Sequence, residues 1–238
     1  MGIIKGDIVK TPCIGVSLPI KIKKKSGNVK YFTQEQVDMI CEKSVAMHSN
    51  GELIYRLGHA VIVLIYTGMR IGELLGLKWE FINFDKKTAR VTDSVVLVKN
   101  RDKEDDNSPK YKLLEQESVK TASGDRIIYL NQKAISALRQ LQQINGKQKS
   151  VMASKNGRVM MPRNFNRMLE GVLLRCGLES SGAHTLRHTY ASMLFKNGVD
   201  VKTVSELLGH SDVGVTYNTY IHLVKEQKQQ AVNILDTL

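Results

Sequence analysis

Cysteine is nearly missing from this chain. The three present, Cys13, Cys41 and Cys176, are widely spaced and show no pair or metal-binding spacing. No disulfide framework or thiolate site organises the fold, and a reducing cytoplasm is the expected compartment. Long apolar runs are missing too. The longest patch, Ala60 to Tyr66, falls well short of the roughly 18 residues of a membrane span and reads as a buried helix. No signal peptide opens the chain, and no internal repeat is visible. Acidic residues are the scarcer charge: 23 Asp and Glu against 35 Lys and Arg, a net +12. That balance favours a polyanionic partner, either nucleic acid or an anionic membrane surface.

What is present divides unevenly. Residues 1–30 hold seven lysines, one acidic residue and two of the four prolines. Thr11-Pro12 and Leu18-Pro19 favour extended chain, because a residue before proline is pushed out of the helical region. The segment reads as a solvated basic tail or as a linker lying against phosphates. Helical order begins at Thr33, where Thr33-Gln34-Glu35-Gln36 fits a capping box and Val37, Ile40, Cys41 and Val45 give an apolar face. A second helix is expected over 52–67, with Gly68 as its stop. Strands are expected over 79–84 and 88–98 around a turn at 85–87. The charged stretch 100–117 reads as a loop or hairpin extension, and 119–129 as two short strands about Ser123-Gly124-Asp125, with Lys120 at the mouth of that turn.

From Asn131 the period is helical again, with Ile135, Leu138, Leu141 and Ile144 buried. Helices follow over 164–176, 184–197 and 200–208, closed by Gly177, Gly198 and Gly209, the last opened by Asp200 as N-cap. Ser211 is expected to cap a short helix carrying Tyr217 and Tyr220. The tail over 223–238 is amphipathic through Val224, Ala231, Ile234 and Leu235, and could fold back or dock on a neighbour.

The chemistry concentrates near the C-terminus. In Gly182-Ala183-His184-Thr185-Leu186-Arg187-His188, His184 and Arg187 lie three apart and can face one spot at a helix start, a good place for an anion. A zinc site from His184 and His188 fits the spacing, but position 185 is Thr where a metalloprotease carries Glu, and no further ligand lies nearby. His188 falls on another side of the helix from Arg187 and reads equally as a core histidine. Leu207-Leu208-Gly209-His210 then places an imidazole directly after a helix-ending glycine. Upstream, Arg70 and Glu73 share a face in Thr67-Gly68-Met69-Arg70-Ile71-Gly72-Glu73, as a surface ion pair or as part of a site.

Arg70 in that setting, then His-x-x-Arg-His, then Leu-Gly-His, then a tyrosine ten residues on, together resemble the tyrosine recombinases, or phage-type integrases. The wording Leu208-Gly209-His210-Ser211-Asp212 through Tyr220-Ile221-His222 is most similar to integrases of phages and conjugative transposons of Gram-positive bacteria. The resemblance runs from about residue 30 to 222, and Lys120 to Arg126 matches the family's Lys-Thr-x-Ser-x-x-Arg turn. It implies an α+β, mainly helical catalytic fold with a small antiparallel sheet on one edge. It also implies a catalytic domain over 31–238, ending in a tail helix over about 223–238. Residues 1–30 would be a linker remnant after a core-binding domain, for which Thr11-Pro12-Cys13-Ile14-Gly15-Val16 is similar to the family's linker.

The resemblance further implies site-specific cutting and rejoining of DNA strands through a 3′-phosphotyrosyl link, in integration or excision of a mobile element. Tyr220 would be the nucleophile, with Tyr217 a local packing residue. Arg70 and Arg187 would clamp the non-bridging oxygens, His184 assist proton transfer, Lys120 protonate the leaving 5′-oxygen, and His210 hydrogen-bond the phosphate. Glu73 would support them. No metal or other cofactor is implied. The partners implied are double-stranded attachment-site DNA and further copies of the chain, tetrameric in the synapse and weakly associated or monomeric alone, with no membrane. The setting would be the bacterial cytoplasm, at the nucleoid. A catalytically silent DNA-binding module of the same fold is the alternative, and a type IB topoisomerase would share the chemistry.

Overall fold

Thr33 closes the capping box that the sequence predicts. Its hydroxyl accepts from the Gln36 amide, and the Gln36 side chain accepts from the Thr33 amide, opening α1 (Gln34–Ser44). The computed structural model describes residues 29–100, 111–117, 126–233 and 236; residues 1–28 of the expected linker over 1–30, and Lys120 with its expected turn, lie outside them. The expected helix over 52–67 is shorter than predicted: α2 is His59–Thr67. Before it, Gly58 crosses the end of α1 so closely that a Cβ there would stand 1.7 Å from the Ser44 carbonyl oxygen. Residues 51–58 are spent on that crossing rather than on helix. Once begun, α2 is buried almost throughout and packs on α1 and on α4 (Gln132–Asn145) and α6 (Ala183–Lys196).

After α3 (Ile71–Gly76), the expected strand over 79–84 is mostly a 3₁₀ turn, Trp79–Phe81, leaving only β1 (Ile82–Asn83) extended. The expected strand over 88–98 is divided at Thr92. β2 (Thr88–Val91) joins β1 and β5 (Arg126–Tyr129) in a three-stranded antiparallel sheet, whereas β3 (Asp93–Lys99) pairs with β4 (Tyr111–Glu117) in a separate antiparallel hairpin. A period-2 pattern cannot reveal such a change of partner. The register sets Val91 opposite Arg126 and Asp93 opposite Glu117. Two glycines seat α3 on β3: a Cβ at Gly72 would lie 2.8 Å from the Val95 carbonyl oxygen, and one at Gly76 2.8 Å from that of Asp93. Their spacing of four puts both bare positions on one helix face.

α5 (Pro162–Arg175) and α7 (Val201–Leu208) end at the predicted stops, while α8 (Val213–Thr219) ends just before Tyr220, which it was expected to carry, and α9 (Ile221–Asn233) begins two residues ahead of the expected tail. Asp200 caps α7 through the amides of Lys202 and Thr203. Asp212, not Ser211, caps α8, its carboxylate accepting from the Gly214 amide. A main core lies under α1–α6 and the sheet. A second, smaller cluster joins Ala191, Phe195, Val204, Leu208, Tyr220, Leu223 and Val224. The tail therefore folds back: Leu223 and Val224 are buried, each such side chain stabilising by about 1.5–3 kcal/mol. Ala231 is exposed, and Ile234 and Leu235 lie outside the described residues. No helix among the described residues is long and apolar enough to cross a membrane.

Candidate active site

Arg187 is where the site is assembled. Its side chain is buried inside α6, and its guanidinium spans the ends of two other helices, Nη1 donating to the Gly68 carbonyl at 2.8 Å and Nη2 to that of Leu208 at 2.6 Å. These are the carbonyl ends of α2 and α7, where a cation is favoured. Burial, and next the charge of Arg70, pull its pKa down to about 9, so it stays protonated at neutral pH.

Arg70 reaches the same place from α3. It is the N-cap of that helix, and its Nη2 donates to the Gly209 carbonyl at 3.2 Å. Two arginines 117 residues apart thus meet consecutive carbonyls, Leu208 and Gly209, directly before His210. Glu73 sits beneath Arg70, 5% exposed, and takes the Arg70 amide on Oε2 at 2.7 Å and Arg70 Nη1 on Oε1 at 2.8 Å. Burial pushes the Glu73 carboxyl up. The hydrogen bonds and charge of Arg126, with those of Arg70, outweigh it and hold the pKa below the ordinary range.

His210 is half-buried and its Nδ1 lies 2.7 Å from Thr216 Oγ1. Burial, then the charges of Arg187, Arg70 and Arg126, lower its pKa to about 4. His184 is exposed at the start of α6, its pKa lowered by burial, Arg187 and Arg70 in that order. Three guanidinium groups with one carboxylate leave this cleft electropositive, a setting for an anion that gains charge during reaction.

Tyr220 is withdrawn from solvent. It is 1% exposed, follows α8 as its C-cap, and packs against Phe195. Its hydroxyl lies 2.7 Å from His188 Nδ1, and no hydrogen bond among the described residues joins it to His184, Arg70 or Arg187. Burial raises the phenol's pKa, against a lowering from Arg187, and burial lowers that of His188 to about 4, with help from His184 and Arg187. Burial thus keeps both partners of this hydrogen bond uncharged at neutral pH. His184 stands edge-on to His188, ring centroids 4.6 Å apart. Tyr217 is on α8 and 36% exposed.

The structure brings Arg70, Glu73, Arg187 and His210 together, with His184 alongside on α6. The family model "Phage integrase family" matches residues 30–227. The chain belongs to that family. A XerC-like tyrosine recombinase of Caldanaerobacter subterraneus subsp. tengcongensis is 32% identical over 251 residues, covering 98% of this chain and 61% of the relative. The tyrosine recombinase XerD of Brucella abortus is 29% identical over 230 residues, 89% of this chain and 64% of the relative. The chain thus spans less than two thirds of these relatives' length. Among solved structures, the Tn1549 transposon integrase in complex with circular intermediate DNA shares the fold at TM-score 0.67 and 21% identity, over 87% of this chain and 67% of that one. XerA recombinase does so at 0.63 and 20%, over 92% and 70%. These likenesses agree with the α+β, mainly helical fold read from the integrase-like segments.

Two residues of the site were not singled out from sequence. From sequence His188 reads only as a zinc ligand or a core histidine; its place four residues after His184 gives no sign of Tyr220 as partner. Arg126 was legible only as the last residue of the Lys-Thr-x-Ser-x-x-Arg turn. Its guanidinium takes both oxygens of Glu73, Nη1 to Oε1 at 2.6 Å and Nη2 to Oε2 at 2.9 Å.

Proposed function

We propose that this chain is the catalytic domain of a site-specific DNA recombinase that cuts and rejoins strands through a 3′-phosphotyrosyl intermediate on Tyr220, serving integration or excision of a mobile element. The observation that carries the proposal is the meeting of Arg70 and Arg187 on the Leu208 and Gly209 carbonyls beside His210. Arginine forks suit the paired non-bridging oxygens of a phosphodiester, whose charge grows in the transition state.

In this reading Tyr220 leaves His188 and attacks the scissile phosphorus. The bond from phosphorus to the tyrosine oxygen forms and the bond to the 5′-oxygen breaks. The phenol proton passes to His184, and the 5′-oxygen takes a proton from Lys120. The reverse sequence, with a different 5′-hydroxyl as nucleophile, rejoins the strands and restores the tyrosine. His210 hydrogen-bonds the phosphate, and Glu73 orients Arg70. The bond energy is kept in the phosphotyrosine, so the scheme consumes no nucleotide and calls on no metal. Residues 1–30 are a linker that follows a core-binding domain, and 31–238 is the catalytic domain. Its partners are attachment-site duplexes and, on DNA, further copies of the chain, in the bacterial cytoplasm at the nucleoid.

The burial of Tyr220 favours a second reading, a DNA-binding module without cleavage. Covalent trapping separates the two. The protein is incubated at low salt with nicked suicide duplexes carrying candidate element ends, alone and joined to a core-binding domain, and a denaturant-resistant adduct is mapped. An adduct on Tyr220 supports the recombinase. An adduct on Tyr217 keeps the activity and moves the nucleophile, and none in either form leaves the binding module.

A further inference from the structure

Glu73 is a buried acid with two arginines on it, and they are not equivalent. Arg126 makes the fork-to-fork contact, one nitrogen to each carboxylate oxygen, at 2.6 and 2.9 Å. Arg70 gives only one guanidinium nitrogen, Nη1 at 2.8 Å, together with its backbone amide. The Arg126 side chain is 10% exposed, whereas that of Arg70 is 43% exposed. A buried carboxylate requires a cation, and a bidentate arginine satisfies it most completely. The cation that makes the fork to Glu73 is thus the more buried of the two. The guanidinium of the more exposed one is left with a single bond to the carboxylate and a 3.2 Å contact to the Gly209 carbonyl.

We infer that Arg126 is a positioning residue for the reaction: it neutralises Glu73 and so keeps Arg70 available to a substrate phosphate. This rests on the recombinase reading above. The fold is built around that contact from two sides. The antiparallel register sets Arg126 opposite Val91 at the end of the three-stranded sheet, and α3 lies on the neighbouring β3 through Gly72 and Gly76. Arg126 also crosses the bare Cα of Gly209, where a Cβ would come within 2.7 Å of its Cδ and 2.8 Å of its Nε. Gly209 therefore makes room for Arg126 while its carbonyl receives Arg70. Without the Arg126 charge, the cation still hydrogen-bonded to Glu73 among the described residues is Arg70, which already touches both oxygens through its amide and Nη1. Closing the fork on Glu73 withdraws Arg70 from the cleft.

The test compares wild type, Arg126→Gln, Arg126→Lys and the double variant Glu73→Gln with Arg126→Gln. Thermal melting establishes which are folded. The first readout needs no cleavage: phenylglyoxal modification of Arg70 in the DNA-free protein, quantified by peptide mass spectrometry. Arg70 is expected to react readily in wild type and Arg126→Lys, several-fold more slowly in Arg126→Gln, and readily again in the double variant, where no buried charge remains to capture it. The second readout is covalent-adduct formation on a suicide duplex. It is expected to fall by about 10²-fold in Arg126→Gln, the cost of losing one transition-state donor, with DNA affinity little changed and partial recovery in the double variant. A merely structural Arg126 predicts that the double variant is at least as impaired as the single one.

Equal Arg70 reactivity in wild type and Arg126→Gln overturns the inference, as does a double variant that recovers in neither readout. Should Arg126→Gln fail to fold, the comparison rests on Arg126→Lys and the double variant: slow Arg70 labelling in either overturns it, as does a double variant that also fails to fold, whereas a double variant that folds and labels as wild type supports it. Absence of an adduct in wild type counts against the recombinase reading, while the labelling still decides the role of Arg126.

Discussion

The Tyr220 hydroxyl stands 2.7 Å from His188 Nδ1, inside a cluster where the tyrosine is 1% exposed. In this conformation the proposed nucleophile is committed to an imidazole that the proposed chemistry does not use. The bond costs little to exchange for another when a partner is at hand, but a buried hydroxyl without any partner costs about 1–3 kcal/mol. His188→Leu is therefore expected to destabilise the fold by that amount in urea titrations. Tyr220→Phe should lose about 0.5–1.5 kcal/mol, keep DNA affinity and form no covalent adduct. Normal adduct yield from Tyr220→Phe would remove it as nucleophile.

Arg187 combines two duties that a lysine cannot share. Its fork reaches Gly68 and Leu208 at once, while a lysine is a point charge on a flexible stem. Arg187→Lys is predicted to slow adduct formation by about 10²–10³-fold with a much smaller change in duplex affinity. Retained cleavage would place the phosphate elsewhere. Duplex binding itself should fall steeply with salt, each neutralised phosphate contributing about −0.9 to the log–log slope.

Gly72→Ala tests how α3 is seated. A methyl group there would meet the Ser94 hydroxyl at 2.7 Å and the Val95 carbonyl at 2.8 Å, a backbone contact that cannot rotate away. Overpacking of this kind costs about 1–3 kcal/mol. Because α3 carries Arg70 and Glu73, adduct formation should fall along with the melting temperature. Gly209→Ala should do both more severely, since φ is +65° and the methyl group would strike Arg126. Wild-type melting of either variant would show that the helix ends can move without loss.

Acid should weaken the fold through the histidines before it reaches the carboxylates. Burial lowers the pKa of His188 and His210 to about 4 in the folded chain, against about 6.5 when unfolded. Between those values the unfolded chain binds more protons, so stability falls as pH drops from about 6.5 toward 4. The Glu73 contribution runs the same way at lower pH. Its folded pKa is depressed, so its stabilisation is present above the ordinary carboxylate value and is lost as pH falls through the folded one. Melting temperatures recorded from about pH 7 to pH 3 should decline throughout; a level profile down to pH 4 would contradict the burial of these rings.

Local chemistry made much of the chain legible. Thr33 and Asp200 cap helices because a side-chain oxygen beside a free amide is a short-range arrangement, and Gly68, Gly177, Gly198 and Gly209 end them because φ is positive there. The arginines, His184, His210 and Tyr220 were nameable because their types and spacing recur together. By itself the sequence determined where several helices stop and which side chains are candidates for the proposed chemistry. Only the tertiary structure decided that 52–58 would cross α1 rather than extend α2, and that 88–98 would change sheets at Thr92. It also decided that Tyr220 would rest on His188 and that Arg126 would take the fork on Glu73. Each of these depends on a contact in space, such as Gly58 against the Ser44 carbonyl or Arg126 across 53 residues to Glu73. No periodicity or propensity along the chain records which faces will meet, since that choice belongs to the packing of the whole core.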